Sequence, residues 1–134
     1  MSTTLGSRFR TFAAGMLIGA SALVATSAGA HADSKIAGKK VIFVPIAMGI
    51  SLTEGWARRM RQHAEINGYS FEVRDAAFNT GIMSELLAKA ISDKPDVLVV
   101  HNPTVQLLAR QIKQAESDGI KVLQINLQSN QPSA

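Results

Sequence analysis

Residues 41–56 read VIFVPIAMGISLTEGW. The stretch starts as an almost unbroken apolar run and ends in Ser51, Thr53, Glu54 and Trp56. A continuous apolar strand is what a central parallel strand requires, because helices cover both of its faces. Pro45 has no amide hydrogen to give to a ladder, so the strand bends or ends there. Ser51-x-x-Glu54 then has the form of a capping box, with the Ser51 hydroxyl accepting the Glu54 amide and the Glu54 carboxylate reaching back to the Ser51 amide. Leu52, Trp56, Met60 and Ala64 mark one face of the helix that follows. Arg58, Arg59, Arg61 and Glu65 mostly populate the other, and Asn67-Gly68 is a stop signal. A buried strand that opens directly into a polar helix start is the junction where open α/β sheets hold their ligands.

The rest of the chain repeats this alternation. YSFEVRD, residues 69–75, alternates apolar and polar as a half-exposed edge strand does. Residues 80–92 form a second helix, with Ile82, Met83, Leu86, Leu87, Ala90 and Ile91 as its buried stripe, and Lys94-Pro95 ends it. DVLVVHNP, residues 96–103, is a second buried strand. Asn102-Pro103 supplies a cap and a first-turn proline for a third helix carrying Val105, Leu108, Ile112 and Ala115, which stops at Asp118-Gly119. IKVLQINLQ, residues 120–128, is the fourth strand. Four strands with a helix in every gap predict an α/β fold with a doubly wound parallel sheet of four β/α units.

Towards the amino terminus the chain changes character. Residues 1–10 are a short polar lead with Arg8 and Arg10, and residues 12–30 are an uncharged run of small and apolar residues. AGAHA then places small residues at Ala30 and Ala32 ahead of the charged DSK. That order reads as a secretory signal peptide over residues 1–32, cut after Ala32, with a cut after Ala30 as the lesser alternative and an uncleaved anchor as the rival. Cleavage after Ala32 leaves residues 33–134 of the 134-residue chain and lowers the net charge from +4 to +2 by removing Arg8 and Arg10. No basic stripe remains to suggest a nucleic-acid partner. The absence of cysteine excludes disulfides, a thiol nucleophile and a cysteine-based zinc site. The expected product is soluble and periplasmic, with no membrane insertion after cleavage.

Ligands of doubly wound sheets bind outside the carboxyl ends of the strands. That rule selects residues 49–53, 75–79, 101–103 and 126–129, which are uncharged apart from Asp75 and have Trp56 and Phe78 close by. Hydroxyl, amide and carboxylate groups can pair the hydroxyls of a neutral ligand, and an aromatic ring can cover an apolar sugar face. Each residue also has a plainer reading. Ser51 serves as a helix cap, Trp56 as core packing, Asp75 as a turn residue, Asn102 as an N-cap, and His101 as its backbone-bonded neighbour. Asn126 is singled out because it interrupts a buried strand at the carboxyl end, where a polar side chain must find a partner. His63 reads as solvated.

Catalytic motifs are missing. Gly49 and Gly55 do not make G-x-G-x-x-G, and no P-loop or G-x-S-x-G elbow occurs. With three histidines, His31 among them in the signal region, a histidine metal site is not expected, and no carboxylate pair falls at adjacent strand ends. Binding without chemistry and without a cofactor is the reading.

From residue 40 to about 130 the chain resembles the N-terminal part of a type I periplasmic binding protein, of the ribose/galactose-binding class that serves ABC sugar importers. The likeness is carried by KKVIFVPIAMGISLTEGW, AEINGYSFEVRDAAFN and KPDVLVVHNPTVQLLARQIKQAESDGIKVLQIN. It implies two lobes closing on a sugar, a membrane permease as partner, and an incomplete N-terminal lobe over residues 33–134. It places binding positions at Ser51, Leu52, Thr53, Asp75, His101, Asn102, Asn126 and Gln128, with Trp56 supplying a ring. This sequence has GISLT where many sugar-binding members have Asn followed by aromatics. It has Asn126-Leu127 where many end the fourth strand in Asp-Arg, which leaves polyols, nucleosides and branched amino acids open as ligands. A sensory input to a chemoreceptor or histidine kinase is the alternative role, and a truncated remnant the other. On that comparison the chain is a fragment, expected to bind sugar weakly by itself and to associate.

Overall fold

The computed structural model describes residues 34–127. The expected signal segment, its expected cleavage site and the candidate Gln128 lie outside the described residues.

Seven elements follow in strict alternation: β1 (Lys40–Val44), α1 (Ser51–Asn67), β2 (Ser70–Val73), α2 (Thr80–Ser92), β3 (Val97–Asn102), α3 (Ala109–Ser117) and β4 (Lys121–Asn126). The strands form one parallel sheet in the order β2-β1-β3-β4. The chain moves outward from β1 to β2 and then crosses back to β3 on the other side of β1. The order therefore reverses between β1 and β3, and the loops after those two strands diverge over a crevice.

Period-two alternation in the central strands feeds two cores. Val41, Phe43 and Val99 pack under α1 with Ala57. Ile42, Val44, Leu98, Val100 and Val122 pack under α2 and α3 with Met83, Leu87, Leu108 and Ile112. β1 stops at Val44, immediately before Pro45, as the missing amide hydrogen requires. Gly68 and Gly119 end α1 and α3 in the left-handed region, at φ 71° and 82°, where a Cβ would be strained.

Four local expectations are corrected. The N-cap of α1 is Ile50, in an extended conformation, so Ser51 is the first helical residue and makes no cap hydrogen bond. The Glu54 carboxylate does reach back, but to the Gly49 amide at 3.0 Å. The inward face of α1 is Thr53, Ala57 and Ala64, with Trp56 and Met60 beside it, and Leu52 is 52% exposed. On α2, Ile82 is likewise turned outward. Asn102 does not cap α3. It stays in the ladder opposite Asn126, and residues 103–108 form turns before the helix starts at Ala109.

Candidate functional site

The carboxyl end of β3 carries the two least satisfied polar side chains of this region. His101 is 5% exposed and Asn102 is fully buried. Nδ1 of His101 and Oδ1 of Asn102 are buried with no hydrogen-bond partner among the described residues. A buried polar atom left unpaired costs about 1–3 kcal/mol, so two neighbours in that state are uncommon in a region built only for packing. Asn102 Nδ2 donates to Gln124 Oε1 over a long 3.4 Å, and its carbonyl accepts a 3.4 Å bond from Asn126 Nδ2. His101 stands edge-to-face with Trp56, ring centroids 5.3 Å apart and planes at 89°. Successive strand residues face opposite ways, so His101 joins Trp56 on the α1 face while Asn102, with Gln124, lies on the α2/α3 face, and the two pairs meet only at the carboxyl end of β3.

A second group sits over β1 and β2. Asp75 Oδ1 accepts the Met48 amide at 2.9 Å and the Ala77 amide at 2.8 Å, so one carboxylate ties the loop after β1 to the loop after β2. The Ala77 bond is the turn role that sequence allowed, while the Met48 bond joins segments 27 residues apart. Its other oxygen, Oδ2, has no hydrogen-bond partner among the described residues, and the residue is exposed. Ala77 and Phe78 follow with φ 49° and 61°, a conformation costing roughly 1–2 kcal/mol per non-glycine residue. The strain is held by the 2.8 Å bond from the Phe78 amide to the Ile46 carbonyl, and it displays a phenyl ring that is 66% exposed.

The remaining candidates divide. Ser51 and Leu52 are exposed at the start of α1, beside first-turn amides that no side chain caps. Thr53 is fully buried and its hydroxyl donates to the Ile50 carbonyl at 3.2 Å, so its polar group is spent on its own helix. Asn126 is exposed rather than buried. It closes an edge strand at φ 77°, a conformation asparagine tolerates better than most residues, which removes the reason for singling it out. Sequence reasoning named Phe78 only as a ring near the strand ends, and it did not select Met48 or Gln124. DAAFN contains no glycine, so nothing in it signals a left-handed turn.

Desolvation holds the His101 imidazole below the usual histidine range. Above about pH 6.5 the ring is neutral in both folded and unfolded chains, and its contribution to stability is fully present. As the pH falls below that point the unfolded chain takes the proton first, and stability is lost at up to about 1.4 kcal/mol per pH unit. Urea melts from pH 7.5 down to 5 are expected to show this loss in the natural sequence and not in His101→Phe, which keeps an aromatic contact with Trp56. Trp56 is the single tryptophan, so its emission reports the same step.

No protein-family model and no curated protein matches the sequence. Solved structures do. A periplasmic ribose ABC transporter from Conexibacter woesei superposes with a TM-score of 0.69 at 21% identity, over 75% of this chain and 34% of that one. The described residues share the fold of part of these structures, an α/β parallel sheet like that of a type I periplasmic binding protein lobe. An ABC transporter solute-binding protein from Agrobacterium vitis with bound allitol follows at TM-score 0.63 and 21% identity, over 66% of this chain and 31% of that one. LsrB from Clostridium saccharobutylicum in complex with AI-2 matches at TM-score 0.58 and 18% identity, over 63% and 26%. The lobe spans about a third or less of the length of each of these structures. Among the described residues no helix is long and apolar enough to cross a membrane.

Proposed function

We propose that this lobe binds a small, neutral, hydroxyl-rich ligand at the carboxyl end of its sheet, as one wall of the solute-binding protein of an ABC sugar importer. The unpaired buried polar atoms of His101 and Asn102, one on each face of the sheet at the carboxyl end of β3 beside the β1/β3 crossover, are the observation that carries the reading. The free oxygen of Asp75, the rings of Trp56 and Phe78, and the uncapped first turn of α1 are the complementary groups. The similar structures include proteins described with ribose, allitol and AI-2, which supports a sugar-like ligand. The role is binding and presentation to a membrane permease, with no chemistry done on the ligand. Export through a signal peptide cut after Ala32 delivers the lobe to the periplasm.

Ligand pockets bury most of a small molecule's surface, so a single wall holds it weakly. Titration of the periplasmic product with pentoses, hexoses and linear polyols, followed by Trp56 emission, is expected to give saturable changes. Charged amino acids are expected to give none. A response confined to amino acids or nucleosides, or chemical conversion of a sugar, overturns the proposal. Intact mass from the same extract reads the cleavage site directly, with Asp33 as the expected first residue.

A further inference from the structure

At the amino ends of the strands, opposite the candidate site, lies a cavity of about 430 Å³ lined by Lys35, Ile36, Lys39, Lys94, Asp96, Asp118 and Lys121 among others. Its acids are already engaged. Asp96 accepts Lys39 Nζ at 2.9 Å and the Lys40 amide at 2.8 Å, and Asp118 accepts Gln114 Nε2 at 2.8 Å. Lys35, Lys94 and Lys121 form no ion pair among the described residues, so the cavity has a net positive charge. Ile36 lies between Lys35 and Lys39 and is 40% exposed. Lys94 is held at φ 47°, just past the end of α2, where glycine or asparagine would fit the backbone better. A lysine kept there against its backbone preference places an ammonium group on the cavity wall.

We propose that this end of the lobe binds anionic phospholipid headgroups at a membrane surface. Lipid phosphates would sit among Lys35, Lys94 and Lys121, and the Ile36 side chain would enter the boundary between headgroups and acyl chains. Lys35, Ile36 and Lys39 build part of this wall. Binding there leaves the carboxyl ends of the strands accessible. The proposal shares only the export of the chain with the function above, and sugar titration tests that function independently.

The test is co-sedimentation of the purified periplasmic product with vesicles of equal parts phosphatidylglycerol and phosphatidylcholine, against pure phosphatidylcholine. Binding is expected to the anionic vesicles alone and to weaken with added salt. Lys94→Gly and Lys35→Gln are each expected to lower it about fivefold. Lys94→Gly should leave the melting temperature unchanged or raised, because glycine relieves the left-handed position, so a drop in binding is not a folding defect. Ile36→Ser should weaken vesicle binding without altering the response to inorganic pyrophosphate. Equal binding to both vesicle types, binding untouched by Lys94→Gly, or no binding to either vesicle type, even where pyrophosphate binds, overturns the proposal.

Discussion

Asn102→Leu is expected to make the lobe more stable and to abolish its response to ligand. Leucine repeats the γ-branch of asparagine with apolar atoms. It removes a buried oxygen that has no partner and gives up only a 3.4 Å bond to Gln124, a residue with other interactions. Relief of one unsatisfied buried group is worth about 1 kcal/mol, or a melting temperature higher by about 4–8 °C for a domain of this size. The extra methyl volume at a fully buried position works against this but does not cancel it, because Asn102 sits at the strand end, next to the turns of residues 103–108. Ligand-induced change in Trp56 emission should disappear, since the hydrogen bond lost is made to a desolvated partner. A destabilised variant would show that the Asn102 oxygen is satisfied within the fold. A stabilised variant that keeps its ligand response would move the site elsewhere.

Stability and binding pull apart at this residue because the residue is buried for one purpose and polar for another. The same conflict explains what sequence could and could not show. Strand and helix bounds were legible where the apolar period was long: residues 80–92 were expected for α2 and observed, and both glycine stops held. The sheet was legible because KVIFV and VLVVHN are too continuously apolar to be one-sided.

The site was legible only as a set of strand ends. Which side chain at each end is buried depends on rotation by a single residue: Trp56, Met60 and Ala64 of the α1 stripe do face the sheet, but at its start Thr53 turns inward where Leu52 was expected. Asn102-Pro103 has the composition of a helix start, yet pairing with β4 is worth more to residue 102 than capping a helix that begins at Ala109. Asp75 could be seen as a turn former. Its bond to Met48, which holds two strand-end loops in register, depends on the tertiary fold and leaves no local trace. The strained Ala77–Phe78 pair is likewise invisible, because neither residue type favours φ above zero.

The largest change in solution behaviour is expected from Leu123→Lys. β4 ends the sheet, and no strand among the described residues pairs with its outer edge. Along that strand only Lys121 is charged, at the very start, so nothing guards the exposed amides and carbonyls against another strand. The face towards α1 is uncovered as well. α1 lies over β1, and an apolar groove of about 230 Å³ remains between Trp56, Arg59 and Met60 on the helix and Val99, Leu123 and Ile125 on the sheet, with Leu123 49% exposed. An open edge and a half-bare apolar face on the same strand are together the conditions for edge-to-edge pairing between copies. The 134-residue chain expressed alone is therefore expected to give a concentration-dependent rise in mass by light scattering. Each half-exposed leucine that such pairing covers contributes about 1 kcal/mol, and a twofold arrangement counts it in both copies. Lysine at position 123 keeps the backbone but demands water at the centre of that face, so self-association should weaken by about tenfold or more, with the circular dichroism unchanged. A natural-sequence chain that stays monomeric at high concentration would mean that the edge is covered by residues outside 34–127. A Leu123→Lys chain that associates as strongly as its parent would place the contact on another surface, with the base of the sheet around Ile36 the next to examine.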